Sequence, residues 1–412
     1  GKLTVLVNAV LFAVFLLLFL VLVVLVGVTV MLGELALGRR SGKSAVSTYR
    51  GLSKKYTWLG YAGIVCGFCI MCFYFVLGGI VLRYAVGYFL AIFGGSEFAW
   101  SGQGTGFFGY FLTDTNSMIL FFVLYILLNI LVVSGGVQGG IEKFCNVGMP
   151  ALFCLLVFII LYIACQPGAA EGYKFMFTPR WEALKDPMIW IWAMGQAFFS
   201  LSVTGSGMIV YGAYLSKDED VVGVAQHTAI FDTIAAVVAA LVIIPACFSY
   251  GLDVGAGPSL LFVTLPTILQ DIPLGRLFAV ILYVAMIFAG VSSLQNMFEA
   301  VAESLLHKFP KLSRAAVLGI LCVLCLGFGL LMEPISKWGP WMDLVSIYII
   351  PIGATLGAVS WFYIMKKDDL LAAVNTGSRR HHGAFWYGVG RYVYVPLAVI
   401  LCCVALFMNV AF

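Results

Sequence analysis

Ten long runs of apolar residues, separated by shorter polar segments, follow one another along the 412-residue chain. A helix crosses a bilayer with about 20 mostly apolar residues. Because lipid cannot pair with backbone N–H and C=O groups, such spans must be helical. The runs therefore predict an all-α membrane protein with about ten transmembrane helices. They cover residues 4–32, 57–94, 118–134, 147–165, 186–214, 225–250, 274–304, 314–332, 341–365 and 387–411.

The composition of the chain agrees with this prediction. Hydrophobic residues make up 62% of it and charged residues 10%, whereas soluble domains have about half apolar and about a quarter charged residues. The net charge of +4 is too small to indicate a nucleic-acid partner. Cysteines recur at three-residue spacing at Cys66, Cys69 and Cys72, but inside an apolar run, which favours small buried side chains over a metal site.

Lysine and arginine are distributed unequally between alternate loops, and this bias sets orientation in a membrane. The loops on one side carry fifteen of them and the loops on the other side four. We therefore expect a multi-pass protein of the plasma (inner) membrane. Its cytoplasmic loops would be 39–55, 135–146, 216–224, 307–314 and 366–386.

Polar residues are concentrated in the middle of the fifth run. Ser200–Gly207 contains three serines, one threonine and two glycines. A broken helix would use them, because unwound backbone and hydroxyls offer oxygen atoms to a cation and half-helix ends offer dipoles to a charged substrate. The alternative is a continuous helix that packs closely through its small residues.

Two further spans carry polar groups at membrane depth, where they are costly and often functional. Ser292 and Ser293 are adjacent in the seventh run, and paired hydroxyls suit a hard cation such as Na⁺, although such a pair also serves helix contacts. Asp232 in the sixth run is either an ion ligand or a buried structural acid. Tyr74 on its own is interpreted as a packing aromatic.

Several segments taken together resemble the neurotransmitter:sodium symporter family, in particular its bacterial amino-acid transporters with a LeuT-type fold. These segments are GELALGRRSGKSAV, GGIEKFCNVGMP, QPGAAEGYKFMFTP, AMGQAFFSLS, GPSLLFVTLP and FAGVSS. The resemblance implies an inverted-repeat bundle within a single transmembrane domain, residues 1–412. Residues 1–165 would be the remainder of the first repeat, 186–365 the second repeat, and 387–411 an additional C-terminal helix.

The resemblance also implies roles for individual residues. The substrate would contact Tyr74, Phe199, Ser202, Ile70 and Met297. Phe199 would also act as a lid, with Asp343 in the outer gate and Tyr214 in the inner gate. The first sodium site would use Ser200 and Asp232, and the second Ala289, Ser292 and Ser293.

One departure from the family concerns its first helix, whose Gly-Asn-Ile-Trp-Arg-Phe-Pro core is not found in this sequence. The first run then corresponds to the family's second helix, giving family helices 2–11. The arginine that pairs with the residue at Asp343 would lie on that first helix. Either the sequence lacks an N-terminal segment, which we favour because the other site residues fit, or the protein lacks the helix.

The sequence thus predicts a sodium-coupled symporter that takes up an amino acid, with an apolar or aromatic side chain suggested by Ile70, Phe199 and Met297. The alternative is a non-transporting, substrate-binding or regulatory membrane relative. An enzyme is not expected, because no histidine shares a membrane depth with a serine or with metal ligands. Asp232 stands where many relatives have asparagine, so a fixed carboxylate would replace chloride and Na⁺ alone would be the coupling ion.

Overall fold

The structure is a computed structural model that describes residues 2–94, 104–134, 138–255, 260–332 and 335–409. All regular elements within these ranges are helical. The helices are α1 (Lys2–Leu22), α2 (Val28–Ser41), α3 (Ala45–Leu52), α4 (Thr57–Ile92), α5 (Gly104–Thr113), α6 (Thr115–Ser134), α7 (Gln138–Ala164), α8 (Ala169–Phe177), α9 (Pro187–Ser200), α10 (Gly207–Tyr214), α11 (Val221–Tyr250), α12 (Leu265–Asp271), α13 (Gly275–Lys308), α14 (Arg314–Met332), α15 (Ile335–Asp343), α16 (Ile350–Val359), α17 (Lys367–Asn375), α18 (Ala384–Val389) and α19 (Val395–Met408).

Several of these helices are continuous through π-helical turns. Such turns join α1 to α2 at Val23–Gly27, α15 to α16 at Leu344–Ile349, and α18 to α19 at Gly390–Tyr394. Two others precede α12 at Leu260–Thr264 and follow α16 at Ser360–Ile364. The first three turns therefore lie within continuous helical stretches, whereas the turn after α16 ends its span at Ile364.

Among the described residues, nine helical stretches are long and apolar enough to cross a membrane. They correspond one to one with nine of the ten predicted spans. The remaining predicted span, 186–214, is divided between α9 and α10. The prediction of an all-α bundle is thereby confirmed.

The first predicted loop, 39–55, begins too early, because α2 continues to Ser41 and ends where Gly42 adopts a left-handed φ of 58°. Arg39 is buried in the last turn of α2. Its guanidinium donates to the carbonyl oxygens of Glu219 (2.6 Å), Ala373 (2.9 Å) and Thr376 (2.7 Å). These carbonyl oxygens take the place of water around the Arg39 guanidinium, so the charge can be buried within the last turn of the helix.

Four of the five loops predicted to be cytoplasmic lie at one end of the bundle, which we call the basic face: 39–55, 216–224, 307–314 and 366–386. Arg39 connects the first of these to the second and the fourth. The Lys308 ammonium lies 4.8 Å from the ring centre of Tyr61, at the start of α4. The fifth loop, 135–146, lies partly outside the described residues, and α7 already begins at Gln138.

Asp220 at the basic face fixes the start of α11. Its carboxylate accepts a hydrogen bond from the N–H of Gly223 (3.1 Å). Partial desolvation raises the pKa of this carboxyl group, but hydrogen bonds from Gly223, from the Ser378 hydroxyl and from the Arg379 N–H outweigh it and lower the pKa overall. Asp220 thus binds the loop that contains α17 to the loop before α11.

The segment between α11 and α13 folds back into the protein, as its prolines and apolar residues predict. Residues 256–259 lie outside the described residues. Beyond them, Phe262 is fully buried and its carbonyl oxygen accepts a hydrogen bond from the Tyr84 hydroxyl (3.1 Å). Tyr283 donates in the same way to the carbonyl oxygen of Leu261 (3.1 Å).

Helices α2 and α10 pack with their backbones in direct contact. A Cβ atom on Gly38 would lie 1.9 Å from the carbonyl oxygen of Ile209, and one on Gly212 would lie 2.2 Å from that of Leu35. Close approach of this kind is the usual role of small residues between membrane helices. The two glycines therefore allow the backbones of α2 and α10 to touch at Ile209 and at Leu35.

Glu34 is fully buried in α2 and accepts hydrogen bonds from two backbone amides, one just before α10 and one in its first turn. One carboxylate oxygen accepts from the N–H of Gly205 (2.7 Å) and the other from the N–H of Met208 (3.0 Å). The first N–H groups of a helix have no partner within it. A negative charge is also favoured at this end of the helix dipole.

We expect Glu34→Gln to destabilise the fold, because an amide has one acceptor oxygen and places an NH₂ group against the second N–H donor. A buried donor without a partner costs roughly 1–3 kcal/mol. Thermal unfolding in detergent measures the effect, and Glu182→Gln, on an exposed glutamate, is the matched control. Equal unfolding temperatures for the two variants would contradict the capping role of Glu34.

Candidate functional site

The fifth predicted span is interrupted between Ser200 and Gly207. Helix α9 begins with Pro187 at its first position and with the Asp186 side chain accepting from the N–H of Met188 (3.0 Å), both common features of helix starts. Six residues of irregular backbone then separate α9 from α10. The prediction of a broken helix is confirmed, and the alternative of a continuous packed helix is wrong.

Two residues in the break adopt left-handed backbone conformations. Ser202 has a φ of 57° and Gly205 a φ of 82°. At Gly205 only glycine fits, because a Cβ atom would also lie 2.5 Å from the carbonyl oxygen of Gly353. The Gly205 carbonyl oxygen accepts a hydrogen bond from the buried Tyr49 hydroxyl (2.6 Å). The break is therefore held by specific partners on α2, α3 and α16.

Glu34 and Tyr49 are the functional candidates that the sequence interpretation missed. A carboxylate within an apolar helix is costly and was a usable signal. Glu34 follows directly on an apolar run, in the segment GELALGRR. Tyr49 gave no signal, because a tyrosine beside a membrane span is ordinarily a packing residue.

A cavity lies beside the break and contains all five residues predicted to contact the substrate, which come from α4, α9, α13 and the break itself. It is lined by Gly67, Ile70, Tyr74, Phe199, Ser202, Thr204, Ser206, Gly207, Tyr211, Ser293, Asn296, Met297, Ala300 and Ile350. Hydroxyl and amide groups come mainly from the break and α13, while Ile70, Met297 and Ile350 provide apolar surface. Such a mixture can orient a small molecule that has one charged end and one apolar end.

Aromatic rings pack in series at the edge of this cavity. The ring centres of Tyr74 and Phe199 are 6.4 Å apart, and Phe199 stacks on Phe73 at 6.0 Å. Phe73 in turn contacts Trp338 of α15 edge to face at 6.4 Å. Within the described residues, the Tyr74 hydroxyl makes no hydrogen bond to another protein group, so it is a free donor at the cavity.

The two residues predicted for the first sodium site are in direct contact. The Ser200 hydroxyl at the end of α9 donates to a carboxylate oxygen of Asp232 on α11, at 2.5 Å. Neither side chain is fully buried. Hydroxyl and carboxylate oxygens are the ligands that a hard cation prefers, so this pair offers a cation two donors next to the break.

The residues predicted for the second sodium site share one helix, α13. The Ser292 hydroxyl donates to the carbonyl oxygen of Ala289 (2.9 Å), and the Asn296 side chain donates to that of Ser292 (3.0 Å). Ser293 lines the cavity. The three predicted residues therefore lie within two turns, and one of them contacts the space that the substrate residues enclose.

Tyr214 of the predicted inner gate and Asp343 of the predicted outer gate do not line the cavity. Tyr214 ends α10 at the basic face, is 68% exposed, and donates to the carboxylate of Glu303 (3.1 Å). Asp343 ends α15, two residues beyond Trp341, whose indole N–H donates to the carbonyl oxygen of Cys69 (3.2 Å). From Asp343 the helix continues for about 30 Å, at 1.5 Å per residue, to Ile364 near the basic face.

Within the described part of the chain, no group of three or more histidine, cysteine, aspartate or glutamate side chains could hold a metal ion. The cysteines at 66, 69, 72, 322 and 325 are free and buried. The possible cation ligands at the cavity are hydroxyls, carbonyls and one carboxylate. This set matches an alkali cation better than a transition metal.

Comparisons with known proteins agree with this geometry. The crystal structure of MhsT in complex with L-phenylalanine superimposes with a TM-score of 0.87 at 30% identity, covering 96% of this chain and 93% of MhsT. The uncharacterized sodium-dependent transporter YhdH of Bacillus subtilis is 32% identical over 406 residues, 94% of this chain and 88% of that relative.

A second relative, an uncharacterized sodium-dependent transporter of Haemophilus influenzae, is 26% identical over 94% of this chain and 89% of its own length. Residues 112–411 match the family described as the Sodium:neurotransmitter symporter family. The match covers more than half of the chain and includes the break, the cavity residues of α13 and the Ser200–Asp232 pair. The chain therefore belongs to the sodium:neurotransmitter symporter family.

Proposed function

We propose that this protein couples the entry of Na⁺ to the uptake of an amino acid with an apolar or aromatic side chain. The observation that carries the proposal is the cavity beside the helix break, where residues from four parts of the fold meet, Ser293 among them. Phe199 lines this cavity, and the next residue, Ser200, is hydrogen-bonded to Asp232. Transport needs no covalent chemistry, and no enzymatic step is assigned to these residues.

The substrate's two ends would meet different walls of the cavity. The free hydroxyl of Tyr74 can donate to the substrate carboxylate, and Ser202 brings another hydroxyl from the break. Glu34 already occupies the N–H groups of Gly205 and Met208, so these amides are not available to the carboxylate. The side chain would lie against Ile70 and Met297, which suit an apolar or aromatic group.

Sodium would be coupled to the substrate through shared elements. Ser200 is the residue next to Phe199, so a cation held by Ser200 and Asp232 positions the ring that covers the cavity. Ser293 both lines the cavity and neighbours the second predicted cation site. Each ligand then stabilises the closed arrangement that the other prefers, and linkage makes this effect reciprocal.

Na⁺ would favour the state that is open to the outside. Substrate and the cation at Ser200 would then close Phe199 over the cavity, and rocking of the helices would open the basic face, which we assign to the cytoplasm. The direct contact of α2 and α10 supports a movement of these two helices as one unit. That MhsT binds L-phenylalanine supports an amino acid as the substrate.

The decisive measurement is uptake of labelled L-phenylalanine into proteoliposomes. We expect an inward Na⁺ gradient to drive accumulation that is absent with K⁺, and unlabelled leucine or tryptophan to compete where aspartate and lysine do not. Competition by charged or very small amino acids alone would refute the side-chain assignment. Substrate binding without uptake would instead favour a non-transporting, substrate-binding or regulatory protein.

A second prediction concerns the Tyr74 hydroxyl. Tyr74→Phe removes a hydrogen bond to a charged group, worth about 1.5–3 kcal/mol, so the half-saturating substrate concentration should rise roughly 10- to 100-fold. Initial uptake rates over a range of substrate concentrations test this. Tyr283→Phe is the matched control, since that buried hydroxyl bonds Leu261 away from the cavity; an equal effect there would remove the special role of Tyr74.

A third prediction concerns chloride. The Asp232 carboxylate supplies a fixed negative charge beside Ser200, so wild-type uptake should be the same in sodium chloride and in sodium gluconate. Asp232→Asn should lower uptake in gluconate by at least about tenfold, because the bound Na⁺ loses its attraction to a negative charge at contact distance. Chloride should restore part of the lost uptake. Asp253→Asn, in an exposed turn, is the control. Chloride stimulation of the wild type would overturn this assignment.

A further inference from the structure

Two positive side chains meet at one tyrosine at the basic face. The Arg391 guanidinium donates through Nη1 to the Tyr387 hydroxyl (3.2 Å), and the Lys367 ammonium lies 5.6 Å from the centre of the same ring. Positive charges gathered on one side chain attract anions, and a negative group beside them would stabilise the arrangement.

No acidic side chain among the described residues supplies that negative group. The ion pair that the described residues form joins Arg314, at the start of α14, to Glu299 of α13. Asp368 and Asp369 follow Lys367 in the first turn of α17, but both are exposed and neither forms an ion pair with Lys367 or Arg391. The two cations thus share a tyrosine and lack a counter-charge from the protein.

The guanidinium of Arg391 is held in place with most of its donors unused. It stacks on Tyr363, 5.0 Å from the ring centre, and on Tyr392 at 5.7 Å. Of its five N–H groups, only one has a hydrogen-bond acceptor in the described structure. Nε is buried and has none, so the unused N–H groups on the two Nη atoms are the ones that can pair with the oxygens of a phosphate group.

Exposed aromatic and apolar side chains flank Tyr387 and Arg391 along the chain. Helix α18 leads into the last span from the basic face, and Arg391 lies two turns from its start. Tyr392 is 72% exposed, Val393 53% and Phe385 86%. Tyrosines and arginines at this depth mark the membrane interface, and the apolar residues around them can contact acyl chains.

We propose that Arg391 and Lys367, organised by Tyr387, bind the phosphodiester of an anionic phospholipid headgroup where the ninth and tenth predicted spans meet the basic face. The exposed apolar rim favours a lipid over free phosphate, because it binds acyl chains that a soluble anion lacks. Basic clusters at the cytoplasmic membrane surface are known to recognise such headgroups.

The test is a lipid titration followed by native mass spectrometry of the detergent-solubilised protein. Phosphatidylglycerol should bind in preference to phosphatidylcholine. Arg391→Gln and Lys367→Gln should each weaken phosphatidylglycerol binding about fivefold, and the double variant about thirtyfold. Lys308→Gln is the matched control, because Lys308 also lies over an aromatic ring at the basic face but has no second cation on that ring.

Three results would overturn the proposal: no preference for phosphatidylglycerol, an equal loss with Lys308→Gln, or equal competition by soluble glycerol 3-phosphate, which would show a free-phosphate site. Arg391→Lys keeps the charge and should lose less affinity than Arg391→Gln. For each variant, the size-exclusion profile and the unfolding temperature distinguish a loss of lipid binding from misfolding. Because the readout is lipid binding, it stands or falls independently of Na⁺-driven uptake.

Discussion

The site depends on a buried carboxylate that satisfies a broken helix from inside the protein. Interrupting a helix within a membrane frees amides and carbonyls that lipid cannot pair. Glu34 takes the N–H groups of Gly205 and Met208, Tyr49 donates to the Gly205 carbonyl oxygen, and the Thr204 hydroxyl accepts from the N–H of Gly207 (3.0 Å). With these partners in place, the remaining hydroxyls of the break can face the cavity.

This arrangement divides the mechanical roles of the two half-helices. Through Glu34 and the glycine contacts at Gly38 and Gly212, α10 is attached to α2. The end of α9 is attached to α11 instead, through the Ser200 hydroxyl and Asp232. A cation at Ser200 would therefore act on the side of the break that carries Phe199, while the other side follows α2.

Much of the fold could be predicted from the sequence because burial in lipid is a property of local composition. Nine of the ten runs matched continuous spans, and in the remaining run the serine and glycine residues of 200–207 indicated the break. Glu34 was missed because its hydrogen-bond partners lie 171 and 174 residues away. Arg39 was placed in a loop for a related reason: a charge normally ends a span, and only the folded chain shows the acceptors that bury it.

The residues of the candidate site could be predicted in two ways. Hydroxyl groups at membrane depth are unusual enough to be noticed within a single segment. The resemblance to a family then assigned Tyr74, Phe199 and Met297 to the same site as these hydroxyls. Composition gave no sign that Tyr387 would gather Lys367 and Arg391, since each charge alone is ordinary at a membrane surface. The cluster arises only in the fold, where α17 contacts the start of the last span.

Arg39 joins two loops to α2 through backbone carbonyl oxygens rather than through side chains. Every residue type carries such an oxygen, so Glu219, Ala373 and Thr376 can be exchanged for other residues while the hydrogen bonds remain. At this contact the constraint on sequence then rests on the arginine and on the backbone path of the loops. Substitutions at the three acceptor positions can therefore change the surface of the loops without disconnecting them from α2.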